Sequence, residues 1–313
     1  MQRSDVPWRG YWPAAPTPYT AGGQLDEDGL VRLLALYVDQ GVHGVLINGT
    51  TGEWFSQTRA ERRRVAEIAV ATVAGRIPVV IGCTTYTPGE TIELAREVKA
   101  IGADGALATP PPYAHPSQDE IYAFYETVTN AVEIPWMAYN WPRGTAVDIS
   151  VETASLLADL PHVVAIKDST GDELKCMETV EAVADRVRAF GRFIHPRGMA
   201  FMLGVGGDGN IDGGGLGAPF AVPFYNEVFA GNLEAAREHG TRYARLVSVL
   251  VNNDYSSKFA SPTSQLKAAM NLLGQPGGQV RPPLLAMAEE NSTDLAHALA
   301  EAGLSPHQPS HKE

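Results

Sequence analysis

Short apolar segments alternate with longer amphipathic segments along most of this chain, and this alternation limits the possible folds more than any other feature. Eight segments have the length and composition of strands: 11–18, 44–48, 78–82, 105–108, 135–140, 163–167, 187–191 and 209–212. Segments with helical periodicity lie between them, among them 26–39, 58–73, 88–100, 118–131 and 172–184. Repeated strand and helix units indicate a parallel sheet. Eight such units predict an α/β protein with a closed (β/α)8 TIM barrel rather than an open doubly wound sheet.

The predicted strands end before about residue 222, and the rest of the chain is different in character. Three segments there have helical patterns: 233–251, 261–274 and 282–303. We therefore predict a catalytic barrel over residues 1–222 and a small helical extension over 223–303. A disordered tail is expected over residues 304–313.

Composition favours one large core and disfavours polyanionic partners. The chain has 313 residues, of which 44% are hydrophobic, and a formal net charge of −12. Its main basic run, RAERRR at 59–64, is interpreted as a solvated helix face, so nucleic acid and anionic membranes are not expected as partners. No apolar segment reaches the length of a membrane span.

Cysteine, histidine and glycine patterns do not predict a metal or a cofactor. Cys83 and Cys176 form neither a CxxC pair nor a Cys/His ligand spacing, which fits a reducing cytoplasm. The histidines are scattered without ligand spacing. GVGGDG at 204–209 follows a predicted helix and precedes a strand, the reverse of the dinucleotide-binding order, so no nucleotide site is predicted.

Lys167 ends the apolar segment VVAIK, where its ammonium group would lose hydration. A lysine in such a place is either paired or used chemically, because desolvation favours the neutral, nucleophilic amine. The alternative is a structural lysine whose stem lies on apolar surface and whose head reaches water or pairs with Asp168.

Polar segments follow three other predicted strands, and in a barrel of this type functional side chains lie at these carboxyl ends. NGTTGE at 48–53 presents the hydroxyls of Thr50 and Thr51, which suit a small carboxylate, or is only a turn with a helix cap. YNWP at 139–142 presents the Tyr139 phenol as a proton relay, or as a core tyrosine. TPPPYAHPSQ at 109–118 presents Tyr113.

These groups together favour one kind of chemistry. A lysine amine attacks a ketone, a neighbouring hydroxyl moves the protons, and an anion site holds the adjacent carboxylate. The product is a Schiff base that stabilises carbanion character at the next carbon. The sequence therefore predicts a class I aldolase or lyase that acts on a 2-oxo acid.

The same segments resemble a known family, that of dihydrodipicolinate synthase and N-acetylneuraminate lyase, which are pyruvate-dependent Schiff-base barrels. NGTTGE is similar to the family's G-[TS]-T-G-E loop, YNWP to its Y-N-x-P segment, and VVAIKDSTGD to its strand with the Schiff-base lysine. LKAAMNLLGQPGGQVRPPL at 266–284 is similar to its C-terminal signature. The resemblance covers nearly the whole chain, with four matches in the same order.

By this resemblance Lys167 would form the imine and Tyr139 would shuttle protons, with Thr50 as its hydroxyl partner. Thr51 would bind the substrate carboxylate. Tyr113 would reach into the site of a neighbouring subunit, in a loop one residue longer than usual. The resemblance implies a homo-oligomer, a dimer or tetramer, that acts on a small 2-oxo acid.

Departures from the family pattern concern the second substrate. The arginine that binds its carboxylate is expected five residues after the tyrosine, where Gly144 stands, with Arg143 one residue earlier. The chain is therefore expected to resemble dihydrodipicolinate synthase without being the lysine-biosynthetic enzyme. IHPRGMAF at 194–201 offers His195 and Arg197 to a distal substrate group, or as ordinary surface charge. Further substrate-binding candidates are Gly49, Ile211 and Asp212.

Several functions remain open at this point. One is the aldol cleavage or dehydration of 2-keto-3-deoxy sugar acids, and another is an N-acetylneuraminate lyase-like activity. Metal-dependent aldol chemistry would need a cluster of histidines and carboxylates that the sequence does not show. A member of another class, a catalytically idle ligand sensor or structural partner, would keep the barrel and lose the lysine or the phenol.

Overall fold

A closed barrel of parallel strands forms the centre of the computed structural model, which describes residues 1–252 and 254–305. Eight strands pair in sequence order within these residues, and β8 closes the ring on β1. The predicted TIM barrel is confirmed. The strands are β1 (Gly10–Ala14), β2 (Val45–Ile47), β3 (Val79–Gly82), β4 (Gly105–Ala108), β5 (Trp136–Asn140), β6 (Val163–Asp168), β7 (Arg188–Phe190) and β8 (Gly209–Gly213).

Helices connect the strands and continue beyond the last of them. Those of the described residues are α1 (Glu27–Asp39), α2 (Arg59–Val73), α3 (Pro88–Ile101), α4 (Gln118–Ala131), α5 (Pro142–Thr145), α6 (Val151–Leu157), α7 (Glu173–Val183), α8 (Pro196–Gly204), α9 (Ala218–Ala230), α10 (Leu233–Leu250), α11 (Pro262–Leu272) and α12 (Ser292–Glu301). Short 3-10 helices occupy Arg3–Asp5, Trp54–Ser56 and Glu289–Asn291. None of the helices in residues 1–252 and 254–305 has the length and apolar character needed to cross a bilayer.

Side-chain caps determine where several helices begin. Thr58 precedes α2 and accepts a hydrogen bond from the Glu61 backbone N–H, while the Glu61 carboxylate accepts one from the Thr58 N–H. Ser117 and Glu120 form the same reciprocal pair at α4. These boxes satisfy N–H groups that have no partner within the helix.

Alternating strand residues divide the core into two layers. In β2, Val45 and Ile47 pack outward against the helices, whereas Leu46 packs inside the barrel with residues such as Trp12 and Met137. Successive side chains of a strand point to opposite faces, so a barrel strand is apolar on both sides. This explains why the predicted strands are continuous apolar runs.

The basic run at 59–64 is only partly a solvated face, which corrects the prediction. Arg62 is 6% exposed, and its guanidinium donates to the carbonyl oxygens of Gly82 and Thr84 at 2.8 and 3.0 Å. These carbonyls lie at the end of β3, where the barrel ladder no longer satisfies them. Arg62 therefore ties α2 to the end of the strand, while the arginines beside it form exposed ion pairs with glutamates.

Two predicted elements are shorter in the structure. The predicted strand 11–18 ends at Ala14, because Pro16 and Pro18 have no N–H to continue the ladder. The predicted helix over 282–303 begins only at Ser292. Its first residues, Pro282 and Pro283, donate no backbone hydrogen bond.

The proposed division of the chain at residues 222 and 223 falls inside α9, which packs on β1. The later helices α10 and α11 both pack on α12, and the division of the chain stays a prediction. Residues 306–313 of the predicted disordered tail lie outside the described residues.

A buried ion pair joins this extension to the barrel. Lys267 of α11 pairs with Glu53 of the loop after β2, and the two side chains are 2% and 0% exposed. Lys267 also donates to the carbonyl oxygens of Thr17 and Gln279, each at 2.7 Å. Burial lowers the pKa of Lys267, and the charge of Glu53 opposes this shift. The backbone N–H of Arg281 donates to the same glutamate at 3.0 Å.

Replacing Lys267 by Met should destabilise the protein by about 3 to 5 kcal/mol, because Glu53 would keep a buried charge without its partner. The midpoint of urea unfolding measures this effect. Adding Glu53→Gln should recover part of the loss, since the remaining buried charge is removed. The matched control is Lys258→Met at an exposed lysine, which should stay within about 0.5 kcal/mol of the wild type. An unchanged midpoint in Lys267→Met would contradict the structural role of the pair.

Candidate active site

Lys167 lies near the carboxyl end of β6, with its side chain 6% exposed. The strand register sets it opposite Tyr139 of β5, and its Nζ lies 4.0 Å from the centre of the Tyr139 ring. The Trp141 ring stacks with the Tyr139 ring, with 6.4 Å between the two ring centres and 17° between the ring planes. Parallel pairing of neighbouring strands therefore brings an amine and a phenol together at one edge of the barrel.

The partners of the Asp168 carboxylate are groups other than Lys167. Its Oδ1 accepts hydrogen bonds from the Thr170 N–H and the Asn140 amide at 2.8 and 3.1 Å. Lys175 lies 3.9 Å from its Oδ2 and also pairs with Asp148. Burial raises the pKa of Asp168, and the charge of Lys175 opposes this rise. In the described part of the chain, the structural alternative of a Lys167 paired with Asp168 is not observed.

A cavity of about 200 Å³ opens beside Lys167 at this end of the barrel. Side chains and backbone from the ends of β6, β7 and β8 form its wall, among them Lys167, Phe190, Arg192, Ile211, Asp212 and Gly213. The predicted candidates Ile211 and Asp212 thus share one cavity with Lys167. Its size suits a small organic acid.

The loop NGTTGE reaches the same region from β2. Asn48 and Glu53 bound the loop in left-handed backbone conformation, with φ of 54° and 57°. A β carbon on Gly213 would lie 3.3 Å from Thr51 Oγ1, so this hydroxyl lies beside Gly213, one of the residues that line the cavity. Gly49 is buried and Thr50 is half-buried. Among the described residues, no hydrogen bond joins Thr50 to Tyr139, so their partnership stays a prediction.

Asp212 of β8 is half-buried and accepts a short hydrogen bond from the Tyr243 hydroxyl of α10. Burial raises the pKa of Asp212, whereas the hydrogen bond from Tyr243 and the charge of Lys167 lower it. Burial and the Asp212 charge both raise the pKa of Tyr243. A carboxyl group with a raised pKa beside an amine is suited to proton transfer.

The other predicted residues lie outside the lining of this cavity. Arg143 is exposed and donates to the carbonyl oxygen of Tyr255 at 2.6 Å. His195 caps α8 by accepting from the Gly198 N–H, and Arg197 is exposed on that helix. Tyr113 is 89% exposed, so its side chain does not contribute to the cavity of its own chain. Substrate roles for these residues stay predictions.

Arg192 is a cavity residue that the sequence reasoning missed. It follows β7, lines the cavity, and stacks its guanidinium 4.2 Å from the ring centre of Tyr255. In the described part of the chain it forms no ion pair. Its place two residues after the strand RAF was a usable signal, because functional side chains of such barrels follow the strands.

The fold defines a TIM-barrel protein, and its candidate site lies at the carboxyl ends of the strands, around the buried Lys167. The chain matches the model of the Dihydrodipicolinate synthetase family over residues 7–302, and it belongs to that family. Members of the family are lyases, and the chain is an enzyme of this class. The predicted family resemblance is confirmed.

Relatives and solved structures agree over almost the full length. The 4-hydroxy-tetrahydrodipicolinate synthase of Phenylobacterium zucineum is 37% identical over 309 residues, covering 96% of this chain and 99% of that protein. The chloride-inhibited dihydrodipicolinate synthase from Acinetobacter baumannii, complexed with pyruvate, has a TM-score of 0.85 at 30% identity, covering 95% and 99% of the two chains. YagE, a prophage protein of the same family from E. coli K12 in complex with pyruvate, has a TM-score of 0.85 at 26% identity, covering 96% and 100%.

The expectation that this chain is not a lysine-biosynthetic enzyme finds no support in these relatives. The protein of Phenylobacterium zucineum carries the name of that activity and is 37% identical to this chain. The glycine at position 144 does not by itself exclude that activity. Another residue of the same site could supply the guanidinium.

Proposed function

We propose that this protein is a pyruvate-dependent class I lyase in which Lys167 forms a Schiff base with pyruvate or a related 2-oxo acid. One observation carries the proposal: the buried Lys167 amine lies 4.0 Å from the ring centre of Tyr139 and faces a cavity of about 200 Å³. The pyruvate complexes of the Acinetobacter baumannii enzyme and of YagE support the choice of ligand. The enamine formed from the imine then adds to an electrophile, or is released from one by cleavage.

The neighbouring groups have separate roles in this proposal. Thr51 and the loop amides after Gly49 hold the carboxylate of the 2-oxo acid, since the Thr51 hydroxyl lies beside Gly213 of the cavity wall. The Tyr139 phenol moves protons during formation and dehydration of the carbinolamine, with Thr50 as its hydroxyl partner. Attack by the amine converts the ketone of the substrate to an imine, and the imine nitrogen then acts as an electron sink.

Incubation with pyruvate followed by borohydride should attach the ligand covalently to Lys167, because borohydride reduces an imine to a stable secondary amine. Peptide mass spectrometry should find the adduct on VVAIKDST and not on the peptides of Lys175, Lys258 or Lys267. The Lys167→Ala variant should fold and lose the adduct, while Lys99→Ala at an exposed helix position should keep it. An adduct spread evenly over the lysines, or none with any small 2-oxo acid, would reject the proposal.

Replacing Tyr139 by Phe should slow turnover by roughly 10² to 10⁴, the usual effect of a lost general acid or base. The ring would still pack beside Lys167 and Trp141, so pyruvate binding should persist. Single-turnover kinetics of imine formation would separate the two effects. Turnover equal to that of the wild type would return Tyr139 to the role of a core aromatic residue.

The second substrate carries a distal carboxylate in this proposal, and Arg192 binds it. Arg192 lines the cavity without a carboxylate of its own, and Tyr255 holds its guanidinium plane. It would supply the charge that is missing at Gly144. The 4-hydroxy-tetrahydrodipicolinate synthase reaction is therefore a candidate activity, in agreement with the name of the 37% identical relative.

A matched pair of aldehydes, 4-oxobutanoate and butanal, tests the role of Arg192. With the pyruvate enamine, the wild type should prefer 4-oxobutanoate, and Arg192→Met should reduce that preference by roughly 10- to 100-fold in kcat/KM, the effect of a lost hydrogen bond to a charged group. The KM for pyruvate should not change. Arg143→Met is the comparison, because Arg143 is exposed and bonds to a backbone carbonyl. A loss of preference only in Arg143→Met would assign the carboxylate to that residue instead.

A homo-oligomer and a cytoplasmic location complete the proposal. Tyr113 stands 89% exposed with a φ of 75°, which fits a residue that completes the site of a neighbouring subunit. Cys83 and Cys176 are buried free thiols, which fits a reducing compartment.

A further inference from the structure

Tyr139 and Asp212 flank Lys167 from opposite directions around the barrel. Tyr139 lies on β5, the strand that precedes that of Lys167, while Asp212 lies on β8, two strands further on. Nζ of Lys167 faces the ring of Tyr139. Asp212 borders the cavity on the other side. A ligand on Lys167 would therefore lie between a phenol and a carboxylate.

Several charged or titratable groups from different elements face Asp212. Tyr243 of α10 donates a hydrogen bond to its Oδ2. The others act through their charge: Lys167 of β6, Arg192 after β7, Tyr11 of β1 and Tyr225 of α9. Neither cation forms an ion pair with Asp212 within 4.0 Å in the described residues. The carboxylate therefore remains available to a ligand in the cavity.

We propose that Asp212 is the catalytic base that removes a proton from C3 of the 2-oxo acid bound to Lys167 as an imine, with Tyr243 as its positioning residue. This inference rests on the proposed function. The C3–H bond breaks and its proton forms an O–H bond on the Asp212 carboxylate. The C–H electron pair becomes the C2=C3 bond, and the C2=N pair moves to the nitrogen. The imine nitrogen is protonated at the start of this step, so the products are an enamine with a neutral nitrogen and a neutral carboxylic acid on Asp212.

The position of the bound ligand supports this assignment over one to Tyr139. Thr51, the proposed carboxylate site, borders Gly213, the residue after Asp212. A ligand that joins Lys167 at C2 and Thr51 through its carboxylate therefore lies along the end of β8. Its C3 methyl group would extend from C2 into the cavity that Lys167 and Asp212 both line. The Lys167 amine faces the ring of Tyr139 rather than a second carboxylate.

Exchange of the pyruvate methyl protons in D2O tests this step without any second substrate. Proton NMR follows the loss of the methyl signal, and borohydride trapping measures the imine in the same sample. Asp212→Asn should trap pyruvate as the wild type does and slow the exchange by roughly 10² to 10⁴. In Asp212→Ala, added formate should restore part of the exchange, because a small carboxylate fits the space that the side chain leaves.

The pH profile of exchange gives a readout that a purely structural role would not change. A base acts in its deprotonated form, and burial raises the pKa of Asp212, so exchange should fall with decreasing pH at a higher pH than an ordinary aspartate would give. The Tyr243 hydrogen bond lowers that pKa, so Tyr243→Phe should move this fall to higher pH. The matched control is Tyr122→Phe, at a half-buried tyrosine of α4 that is not among the groups facing Asp212, and it should leave the profile in place.

The possible outcomes separate this inference from the proposed function. Trapping without exchange in Asp212→Asn supports the assignment, as does rescue by formate. Trapping with exchange near the wild-type rate overturns it, and so does a loss of trapping in Asp212→Asn alone, which would move Asp212 to imine formation. If the wild type itself traps no 2-oxo acid, the proposed function fails, and this inference fails with it.

Discussion

Hydrogen bonding between β5 and β6, in the register that holds from Met137 onward, sets Tyr139 opposite Lys167, and the site is built around that pairing. Closure of the barrel completes the site, because β8 pairs in parallel with β1 and its carboxyl end therefore lies at the same end of the barrel. Side chains that are far apart in sequence, such as Lys167 and Asp212, then line one small cavity. A shift of one residue in the β5–β6 register would turn the lysine to the other face of its strand.

The helical extension contributes to the site as well as to stability. Lys267 fixes Glu53, so that the loop bearing Thr51 is anchored at its last residue by a buried ion pair. Tyr243 of α10 holds Asp212, and Tyr255, between α10 and α11, supports Arg192. The extension thus reaches the loop after β2 and the ends of β7 and β8. Its packing and the geometry of the site depend on each other, which explains why a helical addition accompanies this barrel.

The sequence predicts the barrel and the central lysine well, because both depend on local patterns. Continuous apolar strands and capped helices are visible in single segments. Tyr243, the partner of Asp212, was not predicted, since its role depends on a contact between segments distant in sequence. Arg192 was missed although its place just after a predicted strand is visible in the sequence. Arg62 shows the same limit: a basic run looks solvated until the fold places the carbonyls of β3 beside one of its members. The roles of the site residues remain predictions for experiment.

Charge in the cavity connects the fold to the proposed chemistry. The chain carries a net charge of −12, yet Lys167 and Arg192 face the cavity, and of its two carboxylates Asp168 is offset by Lys175. These cations offset the carboxylates of the cavity, so an anionic substrate meets less repulsion there than over the rest of this acidic protein. Proton transfer from an iminium ligand to Asp212 would then remove one positive and one negative charge together. A poorly hydrated site favours that change, because burial disfavours charged forms of both partners. The features that raise the pKa of Asp212 therefore also favour formation of the enamine.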